Sequence, residues 1–104
     1  MGFAEAHAGL LEALRTEDYL NWPRADERQK NWLEYERVSP QGLRRMLLRC
    51  NGTQHRESAY HGDARFRVHE FFPERHGERW YVKAFFDPEM SLWVFMSVHP
   101  SEDR

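Results

Sequence analysis

The chain has 104 residues, with 15 lysines and arginines against 17 acidic residues, a length that suits one compact domain. No apolar run approaches the roughly 20 residues that span a bilayer, and the first residues lack the pattern of a signal peptide. The single cysteine, Cys50, cannot form a disulfide within the chain, so nothing points to secretion. We therefore expect one cytoplasmic domain over residues 1–104 that does not contact a membrane.

The net charge of −2 conceals a basic middle section. Residues 41–86 hold nine lysines and arginines against five acidic residues, and Lys83 is the only lysine among the nine. Arginine binds phosphate with its forked guanidinium and stacks on bases, so this section is a candidate for contact with nucleic acid. The simpler interpretation is a set of solvated helix and strand faces. With a pI near 6.3, any binding of nucleic acid has to be local.

The first half of the chain, over residues 1–52, shows helical periodicity. An apolar stripe at helical spacing predicts an amphipathic helix over about residues 3–15. Thr16 is a candidate cap for a short second helical turn that ends near residues 21–23. Residues 24–37 are charged and rich in helix formers, so they fit the same helical half. The apolar stripe of the first helix consists of Phe3, His7, Leu10, Leu11 and Leu14.

Residues 40–50 give the clearest helix signal in this half. Ser39 is a favourable N-cap, and Pro40 suits the first helical position. Asn51-Gly52 supplies a stop signal. Cys50 ends the apolar stripe of this helix and is therefore expected in the core rather than as a nucleophile. The other members of the stripe are Leu43, Met46 and Leu47.

The second half changes to the alternating period of β-strands. Segments rich in aromatic and β-branched residues predict strands at about 65–72, 79–86 and 91–99, joined by connections short enough for hairpins. Residues 53–60 are a candidate for an extra strand. The predicted fold is α+β, with N-terminal helices packed on a C-terminal antiparallel β-meander of three or four strands over residues 53–100.

Alternation along the strands sorts the side chains onto two faces. The face expected to pack on the helices is almost wholly apolar, and Glu70 is its one misfit, which a bulge near the strand end would turn outward. Its apolar members are Phe66, Val68, Phe72, Trp80, Val82, Ala84, Phe86, Leu92, Val94, Met96 and Val98. The opposite face mixes cations, imidazoles, a phenol and aromatic rings. Its members are Arg65, Arg67, His69, Phe71, Tyr81, Lys83, Phe85, Trp93, Phe95, Ser97 and His99.

Several residues of the mixed face suit the cleavage of RNA by its own 2′-hydroxyl. That reaction needs a base, an acid for the leaving 5′-oxygen and a cation for the charge on the phosphorane. Histidine, tyrosine and lysine or arginine fill these roles without a metal or another cofactor, and exposed aromatic rings can stack unpaired bases. The simpler interpretation makes the histidines ordinary surface residues. The candidate residues are His69, Tyr81, Lys83 and His99, with Arg67 and Arg75.

Three short segments of the last third of the chain resemble the C-terminal sheet of MqsR-type toxins, which belong to the RelE-like superfamily of mRNA interferases. They are residues 69–75 (HEFFPER), 80–83 (WYVK) and 94–99 (VFMSVH). The resemblance implies a RelE-like fold, a metal-independent endoribonuclease that acts on mRNA, in some cases on the ribosome, and an antitoxin protein as partner. The residues that match the family pattern are Pro73, Arg75, Tyr81 and Lys83.

Two candidate residues depart from the family pattern. His69 stands where the family commonly has glutamine, and His99 where a terminal lysine is usual; both replacements can transfer protons. In the resulting hypothesis, one of the two histidines is the base and the other the acid, in an order left open. Tyr81 orients the substrate or donates a proton. The groups that hold phosphate are Arg67, Arg75 and Lys83.

The alternative hypothesis is a non-enzymatic protein-binding module from a phage, a mobile element or a defence locus. Trp, Tyr, Phe and Arg are enriched at protein interfaces, so the mixed face also suits a protein partner. Catalysis predicts His69, Tyr81 and His99 together in one cleft, whereas a binding module predicts a flat aromatic patch with scattered histidines. A metal site is not expected, because the six histidines and Cys50 lack the spacing of zinc ligands.

Overall fold

The computed structural model describes residues 2–22, 30–60 and 63–101. Within these residues the fold is α+β, with two N-terminal helices and a six-stranded mixed sheet. The elements are α1 (Phe3–Thr16), β1 (Tyr19–Asn21), α2 (Pro40–Leu48), a short 3₁₀ turn (Gly52–Gln54), β2 (His55–Tyr60), β3 (Asp63–Phe71), β4 (Glu74–Arg75), β5 (Glu78–Asp87) and β6 (Leu92–Pro100). No helix in this part of the chain is long and apolar enough to cross a membrane.

Both helices start where the sequence predicts. The predicted N-cap Ser39 begins α2, and its hydroxyl oxygen accepts the backbone N–H of Gly42 at 2.9 Å. The helix ends at Leu48, two residues before the predicted end, and Asn51 instead caps the 3₁₀ turn that leads into β2. One face of α1 packs on the core and buries Ala6, Leu10, Ala13 and Leu14.

The chain between the helices departs from the helical prediction. Tyr19–Asn21 forms a short strand that runs parallel to β6, and residues 31–38 form a bridge and turns instead of a helix. Asn31 is only 3% exposed, and its amide donates to the side chain of Asn21 and to the carbonyl of Phe95. These contacts supply hydrogen-bond partners to backbone groups at the edge of β6. Such hydrogen bonds outweigh the weak helical propensity of this segment. The remainder of predicted segment 24–37 lies outside the described residues.

The sheet contains the predicted meander and extends it on both sides. Strands β3, β5 and β6 pair antiparallel in sequence order, as predicted. The candidate extra strand exists as β2, which pairs antiparallel with β3, while β1 adds a parallel strand at the other edge. The strand order is therefore β1-β6-β5-β3-β2, with β4 paired to the start of β5.

The register of the strands corrects the predicted faces. We call the face that packs on the helices the inner face and the opposite face the outer face. In β3 the residues paired with the helix-facing Val82 and Ala84 are Phe71 and His69. The β3 set that the sequence assigned to the helices, including Val68 and Glu70, therefore lies on the outer face.

A β-bulge in β6 causes a second departure from the predicted faces. Lys83 pairs with Ser97 and Ala84 pairs with Phe95, so Met96 is an extra residue that shifts the alternation by one. Val98 then faces the helices as predicted, but Phe95 does too. Trp93 packs beside them, where Gly9 of α1 makes room: a Cβ at Gly9 would lie 2.5 Å from the indole nitrogen.

A small apolar cluster on the outer face buries the residues that the bulge and the register turn away from the helices. It is separate from the main core between the helices and the inner face. This cluster follows the row in which Val68, Phe85 and Val94 are paired, at one end of β3, β5 and β6. The half of the outer face at the other end of these strands is polar. The members of the cluster are Val68, Phe85, Val94 and Met96, with Trp22 and Phe66 packed against them.

Candidate functional site

The polar half of the outer face gathers charged and aromatic side chains from four adjacent strands. Cross-strand register sets the arrangement, because Glu70 pairs with Arg56 on one side and with Lys83 on the other. Tyr81 and His99 are directly opposite each other one row away. We call this set the outer-face site. It consists of Arg56, Glu70, Phe72, Arg79, Tyr81, Lys83 and His99.

Glu70 is the centre of the hydrogen bonds in the outer-face site. Its two carboxylate oxygens accept from the Nε and Nη2 of Arg56 at 2.9 and 3.0 Å, and the hydroxyl of Tyr81 also donates to it. The residue is 8% exposed. Burial raises the pKa of this carboxyl, but the hydrogen bonds from Arg56 and Tyr81 and the charges of Arg56 and Lys83 lower the pKa by more. Glu70 is therefore ionised at neutral pH.

Tyr81 and His99 form a pair that can handle protons. Their ring centroids are 5.5 Å apart, at an interplanar angle of 48°. The Nδ1 of His99 lies 2.7 Å from the carbonyl oxygen of Pro100, and since a carbonyl only accepts, Nδ1 carries the proton. In the neutral ring Nε2 is then left with its lone pair. The half-buried His99 can therefore act as a base through Nε2.

Phe72 provides an aromatic surface between two guanidinium groups. The guanidinium carbon of Arg79 lies 4.6 Å from the ring centroid, and that of Arg56 lies 5.7 Å away. The ring of Tyr81 is also close, with a centroid distance of 5.7 Å. Aromatic rings flanked by arginines suit the bases and phosphates of a single RNA strand.

His69 lies on the inner face, and the prediction that it shares a face with Tyr81 and His99 is wrong. It is 1% exposed, and its Nδ1 is 2.9 Å from the Nε2 of His55 in a hydrogen bond. Its ring also packs against Trp93, with centroids 5.7 Å apart. Burial is the main cause that lowers the pKa of His69, so the ring is neutral and enclosed. The physical reason is the register of β3, which points residue 69 towards the helices.

The two predicted arginines also lie away from the outer-face site. Arg67 shares the strand parity of His69 and donates from its Nε to Glu57 at 2.7 Å, which makes an exposed ion pair. Arg75 belongs to the β4–β5 hairpin and lines a cavity next to α2. Of the six predicted residues, the outer-face site therefore contains Tyr81, Lys83 and His99.

Four members of the outer-face site were missed by the sequence prediction. Arg56 lies in the strand that was only a candidate, and Arg79 was one of several arginines in the basic section. Phe72 was assigned to the core. Glu70 did give a signal, because it was the one charged residue in an otherwise apolar set. The charge of Glu70 suits the outer face, and the mistake was to assign this set of β3 residues to the face that packs on the helices.

Cys50 is buried in the main core, as predicted. Burial raises the pKa of its thiol to about 11, so the nucleophilic thiolate does not form at neutral pH. Comparison of the chain with protein-family models, curated proteins and solved structures found no match.

Proposed function

We propose that this protein is a metal-independent endoribonuclease of RelE-like type that cleaves single-stranded RNA at the outer-face site. The observation that carries the proposal is the Tyr81–His99 pair, which is next to an ionised Glu70 and several cations. A base, a hydroxyl donor and positive charge are the three elements that 2′-hydroxyl attack needs. The resemblance to MqsR-type toxins supports the same activity, with an antitoxin protein as the cellular partner.

The proposed reaction assigns a role to each group. The Nε2 of His99 takes the proton of the 2′-hydroxyl, whose oxygen then forms a bond to phosphorus. The P–O5′ bond breaks, and the leaving oxygen takes a proton from Tyr81, whose phenolate is reprotonated by solvent. Lys83 and Arg56 stabilise the extra negative charge on the phosphorane. The products are a 2′,3′-cyclic phosphate and a 5′-hydroxyl.

The positions of the groups also fit the remaining parts of the substrate. Phe72 supplies a ring on which one base stacks, and Arg79 is held over that ring where it can reach the adjacent phosphate. Glu70 holds the hydroxyl of Tyr81 and the guanidinium of Arg56 in place, so we assign it a positioning role. This arrangement uses only side chains of the outer face.

A second candidate function, a non-enzymatic protein-binding module, is favoured by the position of His69. The catalytic hypothesis placed both histidines in one cleft, but His69 is on the inner face. The outer face then presents arginines and aromatic rings on a sheet surface, which is also the composition of a protein interface. The two functions differ in whether RNA is cut.

Cleavage of a labelled single-stranded RNA in the presence of EDTA tests the proposal. The wild-type protein is expected to produce fragments that end in a 2′,3′-cyclic phosphate. His99→Ala and Tyr81→Phe should each slow cleavage by about 10²-fold or more while the protein stays folded. Tyr35→Phe removes a hydroxyl from an exposed tyrosine outside the site and serves as the matched control, with an unchanged rate.

Two outcomes count against the proposal. If both site variants cleave as fast as the control, the roles assigned to Tyr81 and His99 are wrong. If neither free RNA nor mRNA on the ribosome is ever cut, the protein-binding function replaces the nuclease.

A further inference from the structure

A small cavity lies on the helix side of the sheet, between α2 and the β4–β5 hairpin. Its volume is about 180 Å³, which is enough for a phosphate group. We call this cavity the basic notch. Its residues lie outside the outer-face site, and Arg75 is the one among them that the sequence predicted as a site residue. They are Gly42, Arg45, Met46, Arg49, Glu74, Arg75 and His76.

Two rigid elements hold the cations of the basic notch. Arg45 and Arg49 are four residues apart around the end of α2, so they project from the same side of the helix. The hairpin brings in Arg75 and His76 through a two-residue turn. His76 and Gly77 both have positive φ, of 53° and 78°, as in the tight turns that match the twist of paired strands.

Cations outnumber carboxylates in the basic notch. Three guanidinium groups converge on a cavity that contains one carboxylate, Glu74. None of the three forms an ion pair or a hydrogen bond with any residue that the structure describes, whereas Arg15, Arg56 and Arg67 are all paired. Three cations around one cavity attract an anion, which reduces the repulsion between them. Guanidinium forks match the oxygens of phosphate in geometry as well as charge.

The basic notch and the outer-face site lie on either side of the same hairpin. Arg75 enters the notch from β4, while Arg79, at the start of β5, lies over Phe72 in the outer-face site. Glu74 and Arg79 are paired across the hairpin, so a residue that lines the notch is the direct cross-strand neighbour of a residue of the outer-face site. A single RNA strand that crosses the hairpin can reach both.

We infer that the basic notch binds a backbone phosphate of the RNA at a position several nucleotides from the cleaved bond. This inference rests on the proposed function for the identity of the ligand. It extends the substrate from the few nucleotides at the outer-face site to a longer strand that bends over the hairpin. Arg45, Arg49 and Arg75 are the groups that hold the phosphate.

Binding of two lengths of RNA tests the inference. The probes are a fluorescent single-stranded 12-mer and a trinucleotide, both with 2′-O-methyl groups that block cleavage. Arg45→Gln/Arg49→Gln should weaken binding of the 12-mer about tenfold and leave that of the trinucleotide unchanged. The slope of log Kd against log salt should fall by about 1.4 for two lost cations on a single strand. Arg15→Gln/Arg37→Gln, with the same change in charge, should bind the 12-mer within about twofold of the wild type.

The outcomes separate this inference from the proposed nuclease. An unchanged affinity for the 12-mer and an unchanged salt slope in Arg45→Gln/Arg49→Gln would overturn the inference that the basic notch binds RNA, even if the wild type cleaves RNA. Weaker binding of the 12-mer by that variant supports RNA binding at the basic notch, even if the wild type cleaves no RNA.

A titration with inorganic phosphate distinguishes free phosphate from RNA as the ligand. The arginine Nε–Hε signals of the notch, followed by NMR, are expected to shift only slightly with millimolar phosphate because the RNA strand supplies further contacts. Saturation by millimolar phosphate together with unchanged RNA binding would identify a site for small phosphates and would overturn the RNA assignment.

Discussion

Adjacent residues of β3 show how differently the two faces of the sheet treat titratable groups. His69 points inward, where it is enclosed by His55 and Trp93 and has a lowered pKa because burial disfavours the charged ring. Glu70 points outward, and its pKa is lowered because Arg56 and Tyr81 stabilise the charged form despite burial. The surroundings of His69 on the inner face favour its neutral form, whereas those of Glu70 on the outer face favour its charged form. One step along a strand therefore separates a structural residue from a candidate functional residue.

The largest effect expected from this comparison is on stability. His69→Ala removes a buried ring and leaves the Nε2 of His55 without its partner, so the free energy of unfolding should fall by about 2–4 kcal/mol. Urea unfolding measures this loss. The cleavage rate per folded molecule should change by less than about threefold, because His69 does not touch the outer-face site. A normal stability with a 10²-fold loss of cleavage would reverse the roles of the two faces.

The pH dependence of the free energy of unfolding should sharpen the comparison, since the buried histidines and Glu70 affect stability in different pH ranges. The pKa values of His55 and His69 are lowered from 6.5, so stability is greatest above that pH and is lost as the pH falls below it, because only the unfolded state then binds the proton. The pKa of Glu70 is lowered from 4.5, so its contribution is lost only as the pH falls below that value.

Urea unfolding from pH 8 to pH 3 measures both ranges. His69→Gln should flatten the decline that begins near pH 6.5, and Glu70→Gln should flatten the decline below pH 4.5. A variant of either residue that changed only the other residue's range would contradict the assignment of the faces. The wild-type curve, measured in parallel, is the reference.

The smallest effect on stability is expected at Lys83. It is half-buried on the outer face between the inward-pointing Val82 and Ala84. Lys83→Gln should change the free energy of unfolding by less than about 0.5 kcal/mol. The same variant should weaken RNA binding and lower the salt slope by about 0.7, the value for one cation on a single strand. RNA binding that is unaltered across a salt titration would remove Lys83 from the site.

Local sequence signals were sufficient for the two helices and the central strands, but not for the elements that depend on pairing with a distant strand. The N-cap at Ser39 and the alternation from residue 65 onwards are properties of neighbouring residues, so α2 and the central meander were predicted correctly. The short parallel strand β1 depends on the distant β6, with which it pairs. No pattern within three residues specifies such a partner.

The candidate site was half predictable for the same reason. Tyr81 and Lys83 lie in one strand, and alternation alone puts them on one face. The face of His69 relative to Tyr81 depends on the β3–β5 register, which composition does not determine. The position of His99 beside Tyr81 agrees with the prediction because the bulge precedes it in β6 and the remainder of the strand keeps one alternation. Thus the residues that share a strand were predictable together, whereas a residue of a neighbouring strand was placed correctly for His99 and wrongly for His69, because its face depends on the register.

The central claim is that RNA is cleaved at the outer face of the sheet, beside Tyr81 and His99, and not at the inner-face pair of His55 and His69. The most direct test follows the ring C–H signals of the histidines by NMR during titration with the uncleavable 2′-O-methyl 12-mer. The ring signal of His99 should shift strongly and saturate, while those of His55 and His69 stay in place. Shifts of the His55 and His69 rings with an unmoved His99 would contradict the claim and place the RNA on the other side of the sheet.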